Sequence, residues 1–73
     1  MARMEVKSEV TGKVWKIEAA LGAKMDADEP IMILESMKME IPVSCEEAGT
    51  LVELRVAEGD AVQDGQVVAI LQT

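Results

Sequence analysis

The sequence predicts an all-β fold, a small antiparallel sandwich or barrel, and two observations support that prediction. Apolar residues recur in short bursts separated by Gly, Asp or Pro, and the pattern of the first half returns in the second half. Short strands at such spacing, bounded by turn residues, are typical of sandwiches and barrels. The chain has 73 residues, so we expect one domain that spans residues 1–73.

Six apolar bursts mark the expected strands. The clearest is the alternation of Met39, Ile41 and Val43 with intervening residues, which is the period-two pattern of a half-buried strand. A helix is conceivable only at residues 18–21, and Gly22 ends that stretch at once. The bursts cover residues 4–6, 14–17, 31–34, 39–43, 51–56 and 66–71.

An internal repeat relates the two halves of the chain. Residues 12–36 fall on residues 49–73 without a gap when the sequence is shifted by 37 positions. The glycines and the apolar positions keep phase over this span, which is hard to obtain by chance because strand register has a period of two. The matched pairs are Gly12 with Gly49, Trp15 with Val52, Ile17 with Leu54, Gly22 with Gly59, Met25 with Val62, Ile31 with Val68, Ile33 with Ile70 and Leu34 with Leu71.

The repeat predicts two similar units that close one shared core with approximate two-fold symmetry. Each unit has the order strand–strand–turn–strand, and neither unit can bury its apolar face alone. Gly22 and Gly59 are expected in turns that require positive φ. Ile33 and Ile70 are expected in the shared core.

Composition disfavours several classes of function. The chain has no histidine and one cysteine, Cys45, so a disulfide framework, a Cys/His zinc site and a Cys–His nucleophile are all excluded. A formal charge of −7 disfavours binding to nucleic acid. No apolar run approaches the ~20 residues of a membrane span. We therefore expect a cytoplasmic protein without catalytic residues, a metal site, or a nucleic-acid or membrane partner.

Two minor features are expected to be structural. Asp26, Asp28 and Glu29 precede Pro30 and do not continue into the spacing of a calcium loop, so they are expected to form a solvated turn. Cys45 is expected to be a half-buried small residue at a strand end.

The segment that joins the two repeats breaks a local rule. Expected strands that end at Ser36 and begin at Met39 leave Met37 and Lys38 as a two-residue hairpin turn. Such turns favour Asn-Gly or Asp-Gly because their central residues need positive φ. Violations of this kind concentrate at functional sites. A tight hairpin tip would hold the amine of Lys38 in solvent, where a separate enzyme with an activated donor could acylate it.

Residues 35–40, which read Glu-Ser-Met-Lys-Met-Glu, resemble the modification motif of biotin carboxyl carrier domains, typically Ala-Met-Lys-Met. The preceding Ile-rich strand, Pro42 and the Gly59-Asp60 turn are also similar to that family, and the resemblance extends from about Met4 to Leu71. The visible departure is a serine where the family usually has alanine, and there is no inserted "thumb" segment. The motif consists of Glu35, Ser36, Met37, Lys38, Met39 and Glu40.

The resemblance implies both a fold and a function. The fold would be a flattened barrel-sandwich hybrid of two four-stranded antiparallel sheets with pseudo-two-fold symmetry. Lys38 would be biotinylated by a biotin protein ligase, with Met37 and Met39 as flanking recognition residues and the other motif residues as context. The chain would be a non-catalytic carrier, monomeric on its own, that moves carboxybiotin between a biotin carboxylase and a carboxyltransferase of the acyl-CoA carboxylase type.

Two alternatives from other classes remain open. Lipoyl domains share the fold and the hairpin lysine, but they usually carry Asp-Lys-Ala or a similar motif, so Met37 and Met39 favour biotin over lipoate. The second alternative is an unmodified structural interaction module. An enzyme is less favoured than either, because the sequence contains no nucleophile–base pair.

Overall fold

Eight β-strands make up the computed structural model, which describes residues 2–73 and has no helix in that range, hence none that could cross a membrane. The strands are β1 (Arg3–Lys7), β2 (Gly12–Ile17), β3 (Lys24–Met25), β4 (Pro30–Ser36), β5 (Met39–Ser44), β6 (Gly49–Leu54), β7 (Ala61–Val62) and β8 (Val67–Gln72). They form two four-stranded antiparallel sheets with the orders β1-β8-β6-β3 and β5-β4-β2-β7. The predicted all-β fold class is confirmed.

Each of the six apolar bursts forms a strand, whereas β3 and β7 correspond to none of them. These two strands have two residues each, which is too short for an alternating pattern. Residues 18–21 form no helix, because the backbone amides of Glu18 and Ala19 both donate hydrogen bonds to the carbonyl of Ile31. Residues 18 and 19 therefore continue alongside β4 instead of forming a helix.

The repeat extends beyond the span that the sequence revealed. Residues 3–36, the N-terminal half, correspond strand by strand to residues 40–73, the C-terminal half, so that β1 is equivalent to β5. Val14 pairs with Leu34 in one sheet, and Leu51 pairs with Leu71 at the equivalent place in the other. A β-bulge shifts the register just after Val14 in the first of these pairings, and an equivalent bulge shifts it just after Leu51 in the second. Both the pairing and the bulges therefore obey the approximate two-fold symmetry.

Each sheet contains strands from both halves. Strands β1 and β3 of the N-terminal half pair with β8 and β6, while β5 and β7 of the C-terminal half pair with β4 and β2. The predicted turns at Gly22 and Gly59 are confirmed, with φ of 87° and 93°. The amide of Gly22 donates to the carbonyl of Leu51 at 2.7 Å, and the amide of Gly59 donates to the carbonyl of Val14 at 2.8 Å. Each turn is thus hydrogen-bonded to the opposite half.

The core lies between the two sheets and is built from aliphatic and sulfur-containing side chains. Its fully buried members occur as equivalent pairs, such as Leu34 with Leu71 and Ile31 with Val68. Cys45 is buried in this core rather than half-buried, and its thiol donates to the carbonyl of Asp26 at 2.9 Å. The largest buried side chains are Val14, Ile31, Met32, Leu34, Leu51, Val62, Val68 and Leu71.

Of the two isoleucines expected in the core, Ile33 is not there and Ile70 is. Ile33 is only half-buried, because Met32 and Leu34 point inward and strand alternation turns Ile33 to the outer face. Ile70 is 6% exposed and is one of the buried core residues, as expected, although it stands outside the cluster of mutually packed core side chains. The repeat identified these isoleucines as equivalent but did not say which face they occupy. Trp15 and Val52, also correctly matched, are the extra residues of the two bulges and remain 49% and 36% exposed.

The register gives a direct test of which side chains hold the halves together. Leu34→Ala and Leu71→Ala should each lower the free energy of unfolding by about 2–5 kcal/mol, because each truncation leaves a cavity in the shared core. Ile33→Ala should cost less than either, since its side chain is only half-buried. Urea denaturation of the three variants and the wild type measures these differences. A loss for Ile33→Ala equal to that of Leu34→Ala would contradict the register of β4.

Candidate functional site

Met37 and Lys38 form the two-residue turn between β4 and β5, as predicted. Ser36 and Met39 pair directly below the turn and close the hairpin. The φ angles of Met37 and Lys38 are 52° and 67°, and two successive positive values are the signature of a type I′ turn. Each non-glycine residue in the left-handed region costs roughly 1–2 kcal/mol. The chain therefore accepts strain in order to place these two side chains at the tip.

The side chains at the tip project into solvent. Met37 is 92% exposed and Met39 is 64% exposed, while Lys38 is exposed between them. Among residues 2–73, no carboxylate lies within ion-pair distance of the Lys38 ammonium group. The exposed carboxylates of Glu35 and Glu40 face each other one residue pair further down the hairpin. The tip thus displays one primary amine between two thioethers.

The base of the hairpin is fixed by contacts that the sequence did not reveal. The hydroxyl of Ser36 donates to the carbonyl of Thr11 at 2.9 Å. The hydroxyl of Thr11 in turn accepts the backbone N–H of Asp64 at 3.1 Å. These bonds attach the hairpin to the β1–β2 and β7–β8 loops. Ser36, which differs from the usual alanine of the family that the motif resembles, therefore anchors the strand that leads to the lysine.

Gly12 lets β2 approach the hairpin closely. A Cβ atom at this position would overlap the carbonyl oxygen of Glu35 and lie 3.2 Å from the Cβ of Ser36. Its equivalent, Gly49, is similarly tight, because a Cβ there would lie 3.0 Å from the carbonyl oxygen of Gln72. The sequence matched these two glycines as a repeat pair. The recurrence of glycine at both positions was the feature of the sequence that could have indicated a close backbone approach. It did not show that Gly12 lies against the lysine hairpin.

The remaining polar and concave features lie away from Lys38. Asp28 has a φ of 67°, and the side chain of Glu29 accepts the backbone N–H of Asp26 at 2.9 Å, so these carboxylates form the predicted exposed turn. In the part of the chain that the structure describes, no group of His, Cys, Asp or Glu is arranged to hold a metal ion. A groove of about 660 Å³ runs between β1 and β5, and Lys38 is not in its lining. The candidate site is therefore a projecting tip.

Comparisons with known proteins agree with this geometry. Residues 18–71 match the family model described as biotin-requiring enzyme. The biotin/lipoyl attachment protein of Bacillus subtilis (strain 168) is 38% identical over 64 residues, which cover 88% of each chain. The biotinylated protein TB7.3 homolog of Mycobacterium leprae is 33% identical over 92% of this chain and 94% of its own length.

A solved structure shows the same fold inside a much longer protein. The urea carboxylase of Kluyveromyces lactis superimposes with a TM-score of 0.94 and 32% identity. The match covers 99% of this chain and 6% of that protein. Two four-stranded sheets, a lysine hairpin at the repeat junction and these matches lead to one conclusion: the chain belongs to the biotin/lipoyl attachment family of biotin-requiring enzymes.

Proposed function

We propose that this chain is a biotin carrier in which biotin is joined through an amide to the ε-amine of Lys38. The observation that carries the proposal is the strained type I′ turn, which displays one exposed amine between two exposed methionines. The Met-Lys-Met motif and membership of the attachment family support biotin as the attached group. Lipoate is less favoured, because lipoyl domains usually flank the lysine with other residues.

The residues present fit covalent attachment of biotin. The amine of Lys38 is exposed, and within residues 2–73 it has no ion-pair partner that must be displaced. Its nitrogen would bond to the carboxyl carbon of an activated biotin, and the activating group would leave with its electron pair. The ammonium group would release two protons to solvent as it becomes a neutral amide. The side chain loses its positive charge in this step. A free carboxylate does not acylate an amine without activation, so a biotin protein ligase must supply the activated donor.

The chain's own contribution after attachment is tethering. Attached biotin supplies a ureido nitrogen on which a carboxyl group can be carried. The hairpin holds the lysine stem on a rigid base, and the stem reaches partner active sites at the high effective concentration of a tethered group. The partners would be a biotin carboxylase and a carboxyltransferase of the acyl-CoA carboxylase type. The net charge of −7 favours docking on basic surfaces of those partners.

Intact mass distinguishes the possible modifications. After co-expression with a biotin protein ligase and excess biotin, the wild type should gain one biotinyl increment. Lys38→Arg should gain none, because the guanidinium group does not form the amide. Lys13→Arg is the matched control, an exposed lysine on a strand, and should be loaded like the wild type. A lipoyl increment would favour the lipoyl carrier, and an unmodified wild type would favour the interaction module.

The position of the amine at the tip is a second test. Exchanging Met37 and Lys38 keeps the composition but moves the amine by one residue. Consecutive residues of a hairpin project in different directions, so the amine would miss the ligase active site. We expect the initial rate of biotin transfer to fall on the order of 100-fold, as for other misplaced reacting groups. Streptavidin blotting of a time course measures the rate. Equal rates for both proteins would show that placement within the turn is unimportant.

The strain of the turn predicts a conflict between stability and loading. Met37→Asn should raise the free energy of unfolding by about 0.5–1 kcal/mol, because asparagine tolerates positive φ better than methionine. The same variant should be biotinylated more slowly, because the ligase loses one flanking thioether. Met39→Asn is the control, since Met39 lies in β5 and its replacement relieves no turn strain. Urea denaturation and a biotinylation time course check both effects, and a less stable Met37→Asn would contradict the assignment of strain.

A further inference from the structure

The methionines of residues 2–73 fall into two groups with opposite environments. Met25 and Met32 lie in the core and are 4% and 0% exposed, and Met4 packs partly against it. Met37 and Met39, which flank the lysine, are 92% and 64% exposed. In the part of the chain that is described, these two are the methionines classed as exposed, and Met4 is intermediate.

The two exposed methionines do little for the fold. Met37 sits at a strained φ of 52°, and neither side chain belongs to the core cluster or the residues packed against it. They adjoin Lys38 on both sides and so form a local apolar surface around the amine, and contiguous apolar surface of this kind marks a site that a partner covers. A thioether is soft and polarisable, which suits an apolar pocket on both sides of the reacting amine. The assignment of a ligase as the partner that covers these methionines rests on the proposed loading of Lys38.

We propose that Met37 and Met39 form a peroxide-sensitive modification site that controls whether Lys38 can be loaded. The thioether sulfur attacks the outer oxygen of a hydroperoxide, such as hydrogen peroxide. A sulfur–oxygen bond forms and the oxygen–oxygen bond breaks. The proton of the transferred oxygen passes to the departing oxygen, which leaves as water when the oxidant is hydrogen peroxide. Sulfur is oxidised by two electrons to the sulfoxide, and the peroxide is reduced by the same two electrons.

The consequences for loading and for stability differ. The sulfoxide is polar and chiral, so the apolar surface on each side of the amine is lost to the ligase. We expect the fold to be unaffected, because both residues are exposed and neither contributes to the core cluster. The buried sulfurs of Met25 and Met32 are protected as long as the chain stays folded. Methionine sulfoxide reductases with a thiol reductant reverse the change, which makes the site a reversible block on loading.

The test uses the full chain before biotinylation. The protein is treated with dilute hydrogen peroxide, the peroxide is removed with catalase, and peptide mapping by mass spectrometry locates the added oxygen. We expect sulfoxide at Met37 and Met39 well before Met25 and Met32, with an unchanged circular dichroism spectrum. The initial rate of biotin transfer should fall roughly 10-fold, as expected when a polar group must enter an apolar pocket. Methionine sulfoxide reductase with dithiothreitol should restore the rate.

Two variants separate the tip from the remaining methionines. Met4→Leu should stay as peroxide-sensitive as the wild type. The variant with both Met37→Leu and Met39→Leu should show the same rate before and after peroxide, whatever its untreated rate. Sulfoxide at the tip without slower loading would overturn the proposal, and so would equal oxidation of tip and core. Recovery of the biotin transfer rate after reductase treatment would identify methionine sulfoxide as the cause of slow loading, and this result does not depend on the leucine variant. An untreated wild type that takes up no biotin would instead refute the carrier function.

Discussion

The structure depends on the exchange of strands between its two halves. Each half places its first strand and its two-residue strand in the sheet of the other half, so neither four-stranded sheet exists without both. The turns at Gly22 and Gly59 reinforce this exchange by donating backbone hydrogen bonds across it. A chain of 73 residues has little apolar surface to bury, and interlocking lets two short units share one core.

The interlock also explains why the lysine hairpin occurs once. Two repeats need one connection, and that connection is the turn at Met37 and Lys38, whose flanking residues pair across β4 and β5. At the equivalent place in the other sheet, the amide of Thr73 donates to the carbonyl of Ala2 at 2.8 Å. The strain of a non-glycine type I′ turn is offset by the backbone hydrogen bonds that pair β4 with β5 and by the hydrogen bond from Ser36 to Thr11. A rigid base and an exposed amine are therefore produced by the same architecture.

Much of the fold and the tip of the site could be predicted from sequence, because both depend on local patterns. Short apolar bursts indicated six strands, and the spacing of glycines and apolar residues indicated the repeat. Met37 and Lys38 were noticed because type I′ turns normally contain Asn-Gly or Asp-Gly. Most of the features that were not predicted from the sequence depend on tertiary context. The outward direction of Ile33 follows from the inward direction of Met32 and Leu34, which an unbroken apolar run does not reveal. The equivalence of β1 and β5 is an exception, because Met4 matches Ile41 and Val6 matches Val43 at the same shift of 37 and the signal was overlooked. The support from Thr11 to the hairpin joins segments far apart in the chain.

The proposed carrier function requires that the folded hairpin, and not the local sequence alone, presents Lys38 to a biotin protein ligase. An isolated two-stranded hairpin is marginally stable in water, so a synthetic peptide of residues 30–45 contains the motif without the rigid turn. The most direct measurement is the initial rate of biotin transfer to the intact chain and to that peptide at equal concentration. We expect the intact chain to be loaded on the order of 100-fold faster. Equal rates would contradict it.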